Sequence, residues 1–291
     1  MKQVNRAGLS AARRWLSCLL GFSGAMALLV ACGAPRATPT HAPPITQAVV
    51  ATGRPAAPPT STPDPTRVLF IGNSLTFFNG LPEVFAELAR SEGHAVEVDM
   101  SAQAGQTLDG HASSPGAGEK LTDQRWAFVV LQEQSQIPAI TAQRSEQMVP
   151  AVRVLNGEIA ESGADTVLFM TWANRAGLPG AGFKDYAAMQ AAIEAGYLEV
   201  AREVGAMVAP VGVAWRRALE GHPELELWQS DGIHPSLEGT YLAASVFYAS
   251  ILEQSPEGAS YLAGLPEETA RFLQSVAAET VLGDSARWHM P

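Results

Sequence analysis

Two short segments, far apart in the chain, carry the residue types of nucleophilic catalysis. The first, Val68-Leu69-Phe70-Ile71-Gly72-Asn73-Ser74-Leu75-Thr76, is an apolar run that delivers a serine into a Gly/Asn turn. The second, Asp231-Gly232-Ile233-His234-Pro235, sets a carboxylate and an imidazole three residues apart. A serine hydroxyl is a poor nucleophile near neutral pH until a neighbouring base takes its proton. His234 has a side chain suited to that task, and Asp231 is placed to hold Nδ1–H so that Nε2 faces Ser74. Taken singly, a serine after a strand reads as a turn or helix cap, and Asp-x-x-His reads as a surface turn. Both, in this order within one α/β body, read together as nucleophile, base and orienting acid.

The elements that must position them follow from the pattern of apolar residues. Arg67–Ile71 reads as a first, buried strand, and a helix should start near Pro82 with Leu81, Val84, Phe85 and Leu88 on its buried stripe. Residues 95–100 alternate as an edge strand, and Phe128–Leu131 is continuous and fully buried in character. A helix over Ser145–Glu161 follows, with Pro150 either kinking it or marking its start. The spacing then predicts a fourth strand over Thr166–Thr171, a helix capped by Asp185 and reaching about Val204, and a fifth strand over Met207–Val213. Helices over Leu237–Glu253 and Pro266–Leu282 complete the body. Strand–helix alternation of this kind builds a parallel sheet with helices on both faces.

Ligands of such sheets sit at the carboxyl ends of the strands. Ser74, Gly105, Gln134 and Asn174 follow the first four strands in turn, so topology brings them to one edge. Phe77, Phe78, Trp172 and Trp228 lie near these residues in sequence; they are candidates for a platform under a sugar ring or an acyl chain, with core packing the alternative.

Gly72-Asn73-Ser74-Leu75 resembles the Gly-Asp-Ser-Leu block of the SGNH/GDSL hydrolase superfamily, and Asp231-Gly232-Ile233-His234 resembles its final Asp-x-x-His block. The resemblance covers nearly all of residues 67–291. It implies a flavodoxin-like three-layer α/β/α sandwich with a mainly parallel five-stranded sheet, esterase, lipase or carbohydrate-deacetylase activity, and no cofactor. It also implies an oxyanion hole drawn from the serine backbone, a glycine after strand two and an asparagine after strand three. Gly105 matches the glycine. After strand three the chain departs from the pattern and reads Leu131-Gln132-Glu133-Gln134-Ser135. The Gln134 amide can donate the same bond from one methylene further away; Asn174, after strand four, is the second candidate or a substrate contact. Asn73 in place of the family's aspartate keeps the turn role.

The amino terminus reads as an address. Lys2, Arg6, Arg13 and Arg14 precede an apolar stretch, Trp15–Ala31, which is shorter than the roughly 20 residues of a membrane span. It ends in Leu29-Val30-Ala31-Cys32, which resembles the lipobox of bacterial lipoproteins and implies lipidation of Cys32 after cleavage of residues 1–31. Arg13-Arg14 resembles a twin-arginine export pair without the usual flanking residues. Residues 32–66 are Pro-, Ala- and Thr-rich and should form a disordered tether, leaving residues 67–291 as the hydrolase domain. The expected location is extracytoplasmic, anchored to the cell membrane by lipid.

Both cysteines, Cys18 and Cys32, precede the body, so core burial alone must stabilise it. A net charge of −10, which grows more negative when the basic leader is removed, argues against nucleic acid as a partner. No Gly-x-Ser-x-Gly elbow, His-Glu-x-x-His or P-loop sequence occurs. His94, His111 and His222 lack metal-ligand spacing and read as surface or turn residues, and no metal site is expected. The glycines of residues 177–182 read as a flexible loop near the site. Three functions fit these residues: hydrolysis of a small-molecule or glycan ester, acyl transfer by the same triad to a sugar hydroxyl, and glycan binding on an inactive hydrolase fold.

Overall fold

The structure is a computed structural model that describes residues 64–288. The expected signal segment, Cys32 and all but the last residues of the expected tether lie outside that range. Five strands form the sheet: β1 (Thr66–Gly72), β2 (Val96–Ala102), β3 (Phe128–Leu131), β4 (Asp165–Phe169) and β5 (Met207–Ala209). All pairings are parallel, in the order β2-β1-β3-β4-β5, the flavodoxin-like order that the resemblance implies. Register aligns the strand ends, since Ile71 pairs with Ser101 on one side and Leu131 on the other.

Between the strands run α1 (Ser74–Phe77), α2 (Leu81–Ser91), α3 (Leu108–Ala112), α4 (Pro115–Asp123), α5 (Thr141–Gln143), α6 (Val149–Ser162) and α7 (Tyr186–Val204), and after β5 come α8 (Val211–Gly221), α9 (Leu237–Leu252) and α10 (Glu267–Leu282). Alternate residues of each strand face opposite sides, which explains the unbroken apolar runs. Val68 and Phe70 join Val130, Val167 and Phe169 in a core covered by α2, α8, α9 and α10. Leu69 and Ile71 join Val129, Leu131 and Leu168 in the opposite core, covered by α3, α4, α6 and α7. The three-layer α/β/α architecture is therefore present.

Several elements depart from expectation. The fifth strand stops at Ala209, and Val211–Gly221 is a helix. Pro210 can donate no ladder bond, and a buried apolar run such as Val211-Gly212-Val213-Ala214-Trp215 carries no period that separates strand from helix. Helices α3 and α4 fill the stretch between β2 and β3, where no helix was expected. Before Pro150 the chain makes a π turn, Arg144–Met148, that runs directly into α6. The proline is thus neither a clean start nor a simple kink: it withholds one N–H within a longer helical stretch.

Candidate active site

Ser74 stands where β1 turns into α1. Gly72 ends the strand with no room for a side chain, because a Cβ there would lie 2.4 Å from Thr76 Oγ1 and 2.6 Å from Gln132 Oε1. Asn73 then caps α1, its side-chain oxygen accepting from the Leu75 amide at 3.2 Å. Its Nδ2 donates to the Gln106 carbonyl at 2.8 Å, and its backbone amide donates to Gln132 Oε1 at 2.8 Å. Asn73 therefore joins the loops that follow β1, β2 and β3.

His234 reaches Ser74 from the turn before α9. Its Nε2 lies 2.9 Å from Ser74 Oγ, and its Nδ1 lies 2.6 Å from Asp231 Oδ2. The other carboxylate oxygen of Asp231 accepts from the amides of Ile233 at 2.9 Å and His234 at 3.0 Å, so one side chain shapes the turn and orients the ring. Burial works against the charged Asp231 carboxyl, and the bonds from the His234 ring and these two amides outweigh it, holding the group below the usual aspartate range. Phe78 stacks on the imidazole, with centroids 4.5 Å apart and planes 24° apart. Asn79, in the left-handed region at φ 53°, places Nδ2 2.9 Å from the Pro235 carbonyl and 2.9 Å from Thr240 Oγ1. The stretch from Ser74 to Asn79 thus supplies the hydroxyl, covers the ring and pins the turn that holds the ring.

An open cleft of about 510 Å³ lies against Ser74 and His234. Leu75, Phe77, Phe78, Ala104 and Ile233 make its apolar wall, and Gly105, Gln134 and Ser135 line the remainder. Gly105 takes φ +72°, which an L side chain rarely adopts, so the residue type follows from the loop conformation. Among the described residues, the backbone amides of Ser74 and Gly105 donate to no protein group. The Gln134 Oε1 accepts from the Gln136 amide at 3.1 Å and its Nε2 donates to Ser135 Oγ at 3.4 Å, with a second N–H of that amide group left over, and the residue lines the cleft. Ser74, Gly105 and Gln134 therefore share one cavity, in a layout that could receive an oxyanion.

Other sequence candidates lie elsewhere. Asn174 lines a separate cleft of about 380 Å³ on the far side of the Asp231 turn, together with Arg175, Gly177 and Ser230. It does not line the Ser74 cleft. Trp172 and Trp228 are core residues, 1% and 6% exposed, and cannot offer a ring face to a ligand. Trp172 stacks on Trp215 at 4.1 Å while its Nε1 donates to the Ile233 carbonyl at 2.9 Å, so it supports the His234 turn from beneath. The Trp228 Nε1 donates to the Ala173 carbonyl at 3.1 Å. His111, expected at the surface, is buried under Gly72, with Nε2 donating to that carbonyl at 2.7 Å. Burial pushes its pKa below the ordinary histidine value, against the opposing effect of that hydrogen bond. Residues 177–182 form a tight turn closed by the Leu178–Phe183 bridge.

Sequence reasoning missed Asn79 and Glu133. Glu133 stood within the run quoted after β3, where a charged residue following an unbroken apolar strand is itself a signal. No group of three or more His, Cys, Asp or Glu able to hold a metal occurs among the described residues.

No protein-family model matches the chain, and no curated protein matches it. Solved structures do. A protein from Bacteroides uniformis ATCC 8492, of the DUF4886 family, is 19% identical and superposes with a TM-score of 0.64 over 75% of this chain and 95% of its own. LAE5, described as an alpha/beta hydrolase enzyme from the metagenome of Lake Arreo, Spain, is 18% identical with a TM-score of 0.50, over 63% of this chain and 94% of its own. At such identities the likeness is one of fold. A protein from Slackia heliotrinireducens assigned as an SGNH hydrolase is 30% identical, with a TM-score of 0.56 over 65% of this chain and 100% of its own. Since that match takes in the whole of the Slackia protein on the fold described above, the chain belongs to the SGNH hydrolases.

Proposed function

We propose that the protein is a serine esterase acting through an acyl-enzyme. Ser74 attacks the ester carbonyl, His234 takes the hydroxyl proton and passes it to the leaving alcohol, and Asp231 stabilises the imidazolium. The amides of Ser74 and Gly105 and the Gln134 side chain hold the oxyanion. Water activated by His234 then releases the acyl group and restores Ser74. The observation that carries this reading is the unbroken chain from Asp231 Oδ2 through the His234 ring to Ser74 Oγ, at 2.6 and 2.9 Å. Such a chain opening on a cleft favours catalysis over passive glycan binding, which needs no aligned base. The apolar wall of the cleft suits the acyl portion of the substrate.

Hydrolysis of a short-chain aryl ester, with covalent labelling of Ser74 by a fluorophosphonate, is the test. Ser74→Ala should abolish both, and an active protein that keeps its activity after this change would refute the assignment. On the sequence grounds above, the enzyme works outside the cytoplasm on a lipid anchor at Cys32. Incorporation of labelled palmitate in a bacterial host, lost in Cys32→Ala, checks that part separately.

A further inference from the structure

Glu133 lies between the two loops that carry the candidate oxyanion donors. It follows β3 by two residues and is completely buried, at 0% exposure. Its Oε1 accepts from the Gln134 amide at 2.7 Å and from the Leu108 amide at 3.2 Å. Leu108 opens α3, three residues beyond Gly105, and Thr107 caps that helix by accepting from the Gly110 amide at 3.1 Å. One carboxyl oxygen thus spans the loop after β2 and the loop after β3. From α7, the Tyr197 hydroxyl fixes the backbone beneath, accepting from the Glu133 amide at 3.3 Å. The second oxygen, Oε2, is buried without a hydrogen-bonding partner among the described residues. An acid in that condition is costly to bury, so its value lies in the bridge rather than in filling space.

We propose that Glu133 is a positioning residue of the oxyanion hole, holding the Gly105 and Gln134 donors at a fixed separation. The proposal rests on the esterase reading above. Donors to an oxyanion act only when placed to within a fraction of an ångström, and a displacement of 1 Å costs on the order of a hundredfold in rate. Because they act on charge that develops in the transition state, disturbing them lowers kcat more than it raises KM. The direction in which burial shifts its proton equilibrium fits this task. Burial pushes the Glu133 carboxyl up to about 7, the amides of Gln134 and Leu108 oppose the rise, and Asp109 on α3 adds to it. On α7, burial holds the Tyr197 phenol far above its ordinary range, so it remains un-ionised. A protonated Glu133 keeps a carbonyl-type acceptor for both amides without placing a full negative charge behind the oxyanion.

The test compares wild type, Glu133→Gln and Glu133→Met on a short aryl ester, with thermal unfolding measured alongside. Glu133→Met has a similar shape and no acceptor oxygen, and kcat should fall about ten- to a hundredfold with KM within about twofold. Glu133→Gln retains an oxygen able to accept from both amides and should bring kcat back to within about threefold of wild type. A folded Glu133→Met with wild-type kcat, or a Glu133→Gln as impaired as Glu133→Met, overturns the proposal. Should Glu133→Met not fold, Glu133→Leu, a smaller apolar side chain that also lacks an acceptor oxygen, takes its place, and the same fall in kcat is expected. Wild type without Ser74-dependent hydrolysis would instead defeat the esterase reading, a result distinct from failure of the Glu133 variants alone.

Discussion

Asn73 illustrates how much depends on the chemistry of one atom. Its Nδ2 donates to the Gln106 carbonyl at 2.8 Å in a site only 3% exposed, while its oxygen caps α1. Asn73→Asp would keep the cap and set a second oxygen against that carbonyl. We expect a loss of about 1–3 kcal/mol of stability, read by urea denaturation, together with a fall in kcat as the Gly105 loop loosens. Glu133 makes a prediction in pH. Its folded pKa of about 7 exceeds its ordinary 4.5, so the native state binds the proton more tightly than the unfolded chain does. The stability from this group is complete below pH 4.5 and is lost as pH rises through 7, about 3 kcal/mol in all. Thermal scans from pH 5 to pH 8 should show this decline in wild type and a flatter profile in Glu133→Gln. The approach of Ser74, Asp231 and His234 to one another was legible in the sequence because their types and order suit a hydroxyl, a base and an orienting acid. For Trp172 and Trp228 the sequence left a ligand platform and core packing both open, because nearness in sequence does not say which face of an element a ring occupies, and the structure has them in the core.

At the scale of elements, the segment from α1 to α2 acts as a clamp on the His234 turn. Asn79 holds φ 53° and reaches Pro235 and Thr240, which follow His234 in the chain. Two variants separate its backbone role from its side-chain role. Asn79→Gly keeps the left-handed conformation at ease and loses the amide, whereas Asn79→Ala loses the amide and adds a strain of about 1 kcal/mol. Both should lower kcat, and Asn79→Ala should melt at the lower temperature. Strands β1 and β3 and helices α2, α7, α9 and α10 were readable, since apolar periodicity, Pro82 and the Asp185 cap all agree there. Helices α3 and α4 escaped notice because they are short, glycine-bearing segments with few large apolar residues. Helix α8 was hidden by the uniform apolarity of its first turn.

At the largest scale, the described residues are ordered by the sheet, each face of which carries a separate core. Phe70 marks the centre of one, edge-on to Phe85 and to Phe247 at centroid distances of 6.3 and 5.2 Å. Phe70→Ala should cost about 3–5 kcal/mol by chemical denaturation, with the cleft chemistry changed less than the stability. That the sheet is parallel was legible from strand–helix alternation, whereas its flavodoxin-like order was implied only by the family resemblance. The approach of loops to one another was not, because it is set by contacts such as those of Asn73 and Glu133, which pattern alone does not encode. The hydroxyl and the ring it meets are 160 residues apart, one leaving the first strand and the other arriving after the last. Contacts of such span close long loops, whose entropy must be overcome before the contact stabilises anything. If Ser74 is the nucleophile proposed above, its labelling is a clock for refolding: the fluorophosphonate signal should lag behind the return of helical signal and appear only when the carboxyl-terminal third has docked.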